Sequence, residues 1–373
     1  MRVLHVIPSV SERSGGPATA IFPMCRALQE QGIEVLIVTT SHGLTRMDTD
    51  RMVDYKGVPA RFFPVQAGAS FKYSRSLGTW LAKRVADFDV VHIHAVFNHA
   101  SVAAARACRK AGVPYVVRPL GTLDPWSMKQ KPLRKRLFWL LAGKKMLQQS
   151  AAVHYTAVAE RDATETFLGL NHGRVIALGV EVNGSKSSEH AAESPYILAL
   201  SRLHPKKGLD VLIDAFKARQ RDRWRLIIAG DGPPDYVARL KQAAGDSEEI
   251  VFTGWVEGAR KEALLRGASL LAQPSHQENF GLSVLEAMAC GVPVLLSPHV
   301  DLAREIETAA AGWTVNLDAL GAGLEQILAD EEDRARRGKA AYRFAQRYSW
   351  QRTATELVEL YREIITNGSA TIR

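Results

Sequence analysis

The chain has 373 residues, which at roughly 150 residues per domain suggests two domains. Hydrophobic residues make up 46% and charged residues 23%, ordinary globular values that exclude a disordered, collagen-like or coiled-coil chain. The net charge of +9 is unevenly spread: residues 1 to 178 hold 24 Lys and Arg against 12 Asp and Glu, and the rest hold 24 against 27. A basic first half suggests an anionic partner such as a membrane surface, a lipid phosphate or a nucleic acid. Three cysteines far apart, Cys25, Cys108 and Cys290, argue against a disulfide framework or structural zinc and for a reducing, cytoplasmic compartment. The N-terminus lacks the apolar run and cleavage site of a signal peptide, and no stretch of about 18 apolar residues offers a membrane span.

In chain order, an apolar run from Val3 to Ile7 leads into Ser14-Gly15-Gly16-Pro17, a helical stretch to Gln31-Gly32, and a second apolar run from Val35 to Val38. Pro17 suits a first helical turn and Gly32 a helix C-cap. Further short runs follow at Val90 to Ile93, Tyr115 to Val117 and Val153 to Tyr155, separated by helix-like segments. After a polar, patternless loop at 184 to 195, strands recur at Ile197 to Leu200, Leu226 to Ala229, Ile250 to Phe252, Leu270 to Ala272 and Val294 to Leu296. This alternation predicts two Rossmann-like, doubly wound parallel-sheet α/β domains facing one cleft. The expected bounds are 1–178, 179–350 and a tail helix at 351–373. Open parallel sheets bind ligands beyond the carboxyl ends of their strands, so site residues are expected just after strands.

Gly15-Gly16 meets that condition, and glycine there lets backbone amides approach a phosphate or sugar; a plain tight turn is the alternative. The full dinucleotide fingerprint is missing, since no third glycine follows and Thr39-Thr40-Ser41 stands where an acidic residue is needed. In the second half, Arg202 and Lys207 follow one strand and make a plausible diphosphate cradle, although lysines in a turn are often merely solvated. Gly230-Asp231-Gly232 is a turn that many such domains contain. The segment from Pro274 to Pro293 is the most informative. A strand runs into a loop carrying Glu278-Asn279-Phe280, a helix starts near Gly281-Leu282 and ends at Gly291, and Glu286 lies within it, with seven residues between it and Glu278. Helix amides near Gly281 and Leu282 favour an anion.

These residues, in this order and spacing over nearly the whole chain, resemble the retaining glycosyltransferases of family 4, which have the two-domain GT-B fold. The resemblance implies a nucleotide-sugar donor in the second domain. Arg202 and Lys207 would bind its diphosphate, Glu286 its ribose, Glu278 the transferred sugar, and the backbone around Val256 its base. It also implies that the tail helix crosses back to the first domain. On the acceptor side, His92 and His94 share one strand face by the period of two, and His94 stands at the carboxyl end as a candidate catalytic residue. Many family members place a further histidine after the next strand, where this chain reads Val117-Arg118-Pro119-Leu120-Gly121.

Between residues 129 and 145, Lys129, Lys131, Arg134, Lys135, Arg136, Lys144 and Lys145 alternate with Leu133, Leu137, Phe138, Leu140 and Leu141 without an acidic residue. This pattern fits a basic amphipathic helix lying on an anionic membrane, and equally a core-facing helix with a solvated basic face. The expected activity is retaining transfer of a hexose, with UDP-glucose the best guess at donor, to a saccharide or lipid-linked acceptor. Neither cofactor nor metal is expected, the enzyme being cytoplasmic or peripheral to the membrane. A nucleotide-sugar epimerase or a phosphorylase on the same fold is the nearer rival. A nucleic-acid-binding protein is the more distant one, and no recognition motif supports it.

Overall fold

The computed structural model describes residues 1–11, 15–45, 47–49, 51–68, 70–123, 127–128, 132–181, 194–219 and 224–370. Ser14, Lys129, Lys131, the side chain of Arg134 and nearly all of the loop expected at 184 to 195 lie outside the described residues. The chain divides into two compact units, one of residues 1–179 with 350–373 and the other of residues 180–349.

The first unit carries an eight-stranded sheet made of β1 (Arg2–Val6), β2 (Glu34–Thr40), β3 (Met52–Tyr55), β4 (Val58–Phe63), β5 (Val90–His94), β6 (Tyr115–Arg118), β7 (Ala152–Tyr155) and β8 (Gly173–Val175). Their spatial order is β3-β4-β2-β1-β5-β6-β7-β8, parallel except for the β3–β4 hairpin. The inner strands are covered on both faces, and so read as apolar runs. The hairpin and the three-residue β8 escaped the sequence reading. They are short and interrupted by the charges of Asp54, Arg61 and Arg174, and the hairpin turns on Lys56-Gly57, both at positive φ (56° and 77°) as a two-residue turn requires.

The tail helix Trp350–Ala370 belongs to this unit and packs on the first helix, Gly16–Glu30. Gln31 Nε2 donates to Thr355 Oγ1 (2.9 Å), and Thr353 Oγ1 donates to the Ala177 carbonyl (2.8 Å). Gly179 and Trp350, expected in the second domain, fall in the first. A side chain at Gly179 would come within 2.4 Å of the Trp350 backbone, so the two segments are in direct contact.

The basic segment is one winding path of helix, Pro132–Phe138, a π-turn over Trp139–Gly143 and Lys144–Gln148. Its core contacts come from Phe138, Trp139, Met146 and Leu147. Leu133, Leu137, Leu140 and Leu141 are 82, 59, 69 and 75% exposed, so the core-facing packing offered for these leucines is not the one adopted.

The second unit carries a six-stranded, wholly parallel sheet of β9 (Tyr196–Leu200), β10 (Arg225–Ala229), β11 (Ile250–Gly254), β12 (Leu270–Gln273), β13 (Val294–Leu296) and β14 (Gly312–Thr314). The order is β11-β10-β9-β12-β13-β14, which reverses direction between β9 and β12. In the first unit the same reversal falls between β1 and β5.

Candidate active site

The reversal point of the second sheet places the loops after β9 and β12 side by side, because these strands pair directly (Leu271 with Leu198) although about 70 residues separate them in sequence. Both loops hold the residues singled out from sequence. After β9, the turn Pro205–Lys207 is capped by His204, whose Nδ1 accepts from the Lys206 amide at 3.1 Å. Gly208 follows at φ 61°, and a Cβ there would stand 2.1 Å from the Pro274 carbonyl oxygen. Only glycine permits so close an approach. The His276 amide donates to the Lys206 carbonyl (2.8 Å), completing the join between the two loops.

Lys207 and Glu278 meet at this join in a direct ion pair, both side chains largely buried. The Glu278 carboxylate also accepts from Gln273 Nε2 (3.3 Å), and its backbone is tied to His299 and Asp301. Burial alone would push the Glu278 carboxyl upward, but Lys207, Lys206 and Arg202 together hold it below the usual carboxylate range. It is therefore ionised at neutral pH. Arg202 itself is exposed.

Gly281, at φ 66°, starts the helix Leu282–Ala289, whose first amides are free of intrahelical partners. Beside it, Asn279 Nδ2 and Gln277 Oε1 are buried without a hydrogen-bond partner among the described residues. The Phe280 side chain is buried against the Tyr348 ring. Glu286 accepts from Lys261 Nζ at 2.7 Å. Lys261 lies on the helix Gly258–Gly267, and no spacing in the sequence linked it to Glu286. The Val256 side chain is buried in the loop after β11. Gly230 and Gly232 have a packing duty: a Cβ on either would approach the Ser201 or Leu203 carbonyl oxygen within about 2 Å.

In the first unit Gly15, at φ 91°, precedes the helix that opens at Gly16. At the reversal point β1 pairs with β5, setting His5 beside His92. His94 ends β5 as expected, but its ring is 1% exposed, with Nε2 3.1 Å from His5 Nδ1. His92 is a packed histidine hydrogen-bonded to the Tyr361 hydroxyl (2.6 Å) and to His154 (3.3 Å). Sequence reasoning missed His5, His154 and Tyr361. For the two histidines the available signal was a lone polar residue within an apolar strand, whereas Tyr361 lies on the tail helix and had no such signal. His5, His92 and His94 lie close enough to suggest a metal centre. Their chemistry opposes it: both His92 nitrogens are engaged, the His92 and His94 rings stack at 19° with lone pairs in near-parallel planes, and the Arg118 cation is close enough to disfavour any charge on these rings.

Two successive parallel-sheet α/β units, each with its singled-out residues at the point of strand reversal, define the GT-B fold of glycosyltransferases. Two family models agree: one described as "Glycosyl transferase 4-like domain" matches residues 15–180, and one described as "Glycosyl transferases group 1" matches residues 183–344. The chain belongs to the family-4 type of glycosyltransferases and is thus a transferase. It is 26% identical over 396 residues to the phosphatidyl-myo-inositol mannosyltransferase of Mycobacterium leprae, covering 99% of this chain and 98% of that one. With a D-inositol 3-phosphate glycosyltransferase of Salinispora tropica it shares 34% identity over 190 residues, 46% of this chain and 39% of the relative. Among solved structures, sucrose-phosphate synthase from Thermosynechococcus elongatus superposes with a TM-score of 0.80 at 19% identity over 98% of this chain and 99% of that one. Anabaena HepE in complex with UDP and glucose does so at 0.77 and 22%, over 97% and 100%.

Proposed function

We propose that the protein is a retaining hexosyltransferase that takes its sugar from a nucleotide diphosphate donor, UDP-glucose first among candidates, and passes it to a saccharide or lipid-linked saccharide of polysaccharide or glycolipid synthesis. The observation that carries this reading is the Lys207–Glu278 pair at the reversal point of the second sheet, beside the helix N-terminus at Gly281. As the bond from sugar to diphosphate breaks, positive charge develops at the anomeric carbon and negative charge on the leaving phosphate. A carboxylate in contact with an ammonium supplies the complementary charges side by side, fixed before the reaction begins. Lys207, Arg202 and the amides of Gly281 and Leu282 take the diphosphate, Glu278 and Asn279 orient the sugar, and Glu286 with the loop at Val256 holds the nucleoside. In the first unit, Gly16 is the donor-binding residue and His94 the acceptor-side residue of this reading. A phosphate oxygen of the departing donor removes the acceptor proton, which gives retention without a protein nucleophile. The complex of HepE with UDP and glucose supports the choice of donor.

Release of free nucleoside diphosphate from UDP-glucose only when an acceptor is present tests the reading. Release without acceptor, or interconversion of sugar epimers, would replace it with the rival activity. Because fixed cations already serve the leaving group, a divalent ion there would be repelled. Turnover is expected to survive excess EDTA, and full loss with recovery on adding magnesium or manganese would overturn the assigned roles.

Peripheral membrane contact is the second part of the reading, and four exposed leucines flanked by Arg136, Lys144 and Lys145 support it. Lys135 is otherwise engaged, donating to the Ser127 carbonyl (2.6 Å) above the Phe97 ring. Among the described residues no helix is long and apolar enough to cross a membrane. Changing Arg136, Lys144 and Lys145 to Gln is expected to weaken binding to phosphatidylserine vesicles by about 1 kcal/mol per charge. Wild-type protein that ignores such vesicles at low salt would dispose of the idea.

A further inference from the structure

One face of the first sheet, at its carboxyl ends, carries an arginine among histidines. Register places His94 opposite Arg118 and His5 opposite His92, and His154 of β7 reaches His92. Burial pushes all four histidines below their ordinary value, His5 and His154 to about 3, so their rings are neutral. Neutrality fixes the protons in part of the cluster. His154 Nε2 faces only the Ile176 carbonyl (2.8 Å) and must donate to it, so its Nδ1 accepts from His92 Nε2, and His92 Nδ1 accepts from the Tyr361 hydroxyl. That chain is saturated.

The other three groups are not. His5 Nε2, His94 Nδ1 and Arg118 Nε are buried and have no hydrogen-bond partner among the described residues. His5 Nδ1 and His94 Nε2 share one proton across 3.1 Å, so one of the two outer nitrogens always carries a hydrogen and the other a lone pair. Arg118 is 3% exposed and makes no ion pair or side-chain hydrogen bond among the described residues. The carboxylate that acts on it electrostatically is Glu160. Both Glu160 oxygens are already taken, Oε1 by the Gly121 amide (3.0 Å) and Oε2 by the Thr156 amide and hydroxyl (2.8 and 2.9 Å). A buried guanidinium without an acceptor is costly to keep. The site also sits where open α/β sheets take ligands, and β5 and β6 are followed by Ala95 and Leu120 at φ 69° and 58°, conformations that non-glycine residues rarely hold.

We propose that Arg118, with the His5–His94 pair beside it, is an oxyanion-recognition site that selects acceptors bearing a phosphate or carboxylate group. The guanidinium supplies the charge and the fork of donors that a phosphate or carboxylate matches. The histidine pair adds one donor and one acceptor for an adjacent hydroxyl. This deepens the transferase reading and rests on it for the word acceptor, whereas the anion site itself does not.

The test measures binding of inorganic phosphate, glucose 6-phosphate, glucuronate and neutral glucose to the full chain, with and without saturating UDP, for wild type, Arg118→Gln and Arg118→Lys. Wild type is expected to bind at least one of the three anions at millimolar concentration and to bind glucose more weakly. Arg118→Gln should lose about tenfold or more in that affinity while its affinity for UDP stays the same. Arg118→Lys keeps the charge without the fork and should fall between. If Arg118→Gln does not fold, Arg118→Lys decides alone, and unchanged anion affinity in it overturns the proposal. Anion binding that is absent in wild type or unaffected in Arg118→Gln overturns it too. Loss of UDP affinity in Arg118→Gln would assign the guanidinium to the donor diphosphate instead and equally overturn it. Failure of wild type to bind UDP at all would count against the transferase reading, not against the anion site.

Discussion

Glu278→Ala is expected to lower kcat/KM for transfer by about 10²- to 10³-fold, the usual scale for removing one preorganised charge from a reacting centre. The carboxylate is held by Lys207, by Gln273 and by its own backbone ties to His299 and Asp301, so it is placed before substrate arrives. It carries little packing, and the variant should fold. Its absence nevertheless leaves Lys207 largely buried without its counter-charge, which is expected to cost the second unit about 1 kcal/mol or more. Lys207→Ala should be comparably severe, with the loss appearing in donor affinity. The double variant should be scarcely worse than either single one, because two groups acting as a unit are not additive. Near-normal turnover in folded Glu278→Ala would remove it from the site.

The second large effect is acid lability of the first unit. His5, His92, His94 and His154 are neutral in the folded protein, and burial holds each below the ordinary histidine value. In the unfolded chain each takes up a proton near pH 6.5. The sign follows: below that pH the unfolded state binds more protons, so stability is full above about pH 6.5 and falls as the pH drops. For His5 and His154 the fall continues to about pH 3. Each histidine contributes a slope approaching about 1.4 kcal/mol per pH unit. Four together remove several kcal/mol by about pH 5, a large part of ordinary domain stability. Glu278 is likewise held below its ordinary value, but its contribution is lost only as the pH falls through the carboxylate range, so it does not confuse the interval from pH 7 to 5. Hydrogen exchange at pH 5 should show β5, β6 and β7 losing protection while β9 and β10 keep theirs. A melting temperature unchanged between pH 7 and 5 would contradict neutral burial of these rings.

The amino-acid sequence by itself determined the alternation of strands and helices and the position of most site residues relative to them. Parallel strands covered on both faces must be apolar runs, so Val3, Val35, Val90, Tyr115, Ile197, Leu226 and Leu270 mark their strands without help from the fold. Lys207 and Glu278 were legible for the same reason, as polar residues just past such runs. What the sequence left open was everything that depends on which strands are neighbours. The contact of Lys207 with Glu278 exists because β12 pairs with β9, and the opposition of His94 and Arg118 because β5 pairs with β6. Strand order is set by how helices and loops pack over the whole sheet, which no local pattern encodes. Arg118 reads in sequence only as a residue replacing the family's histidine; its isolation appears once Glu160 is seen to be bound by Gly121 and Thr156. The leucines at 133, 137, 140 and 141 make the same point from outside the core. Helical spacing puts apolar residues together on one face, but only packing by Phe138, Met146 and Leu147 decided which face the protein kept and which it left exposed.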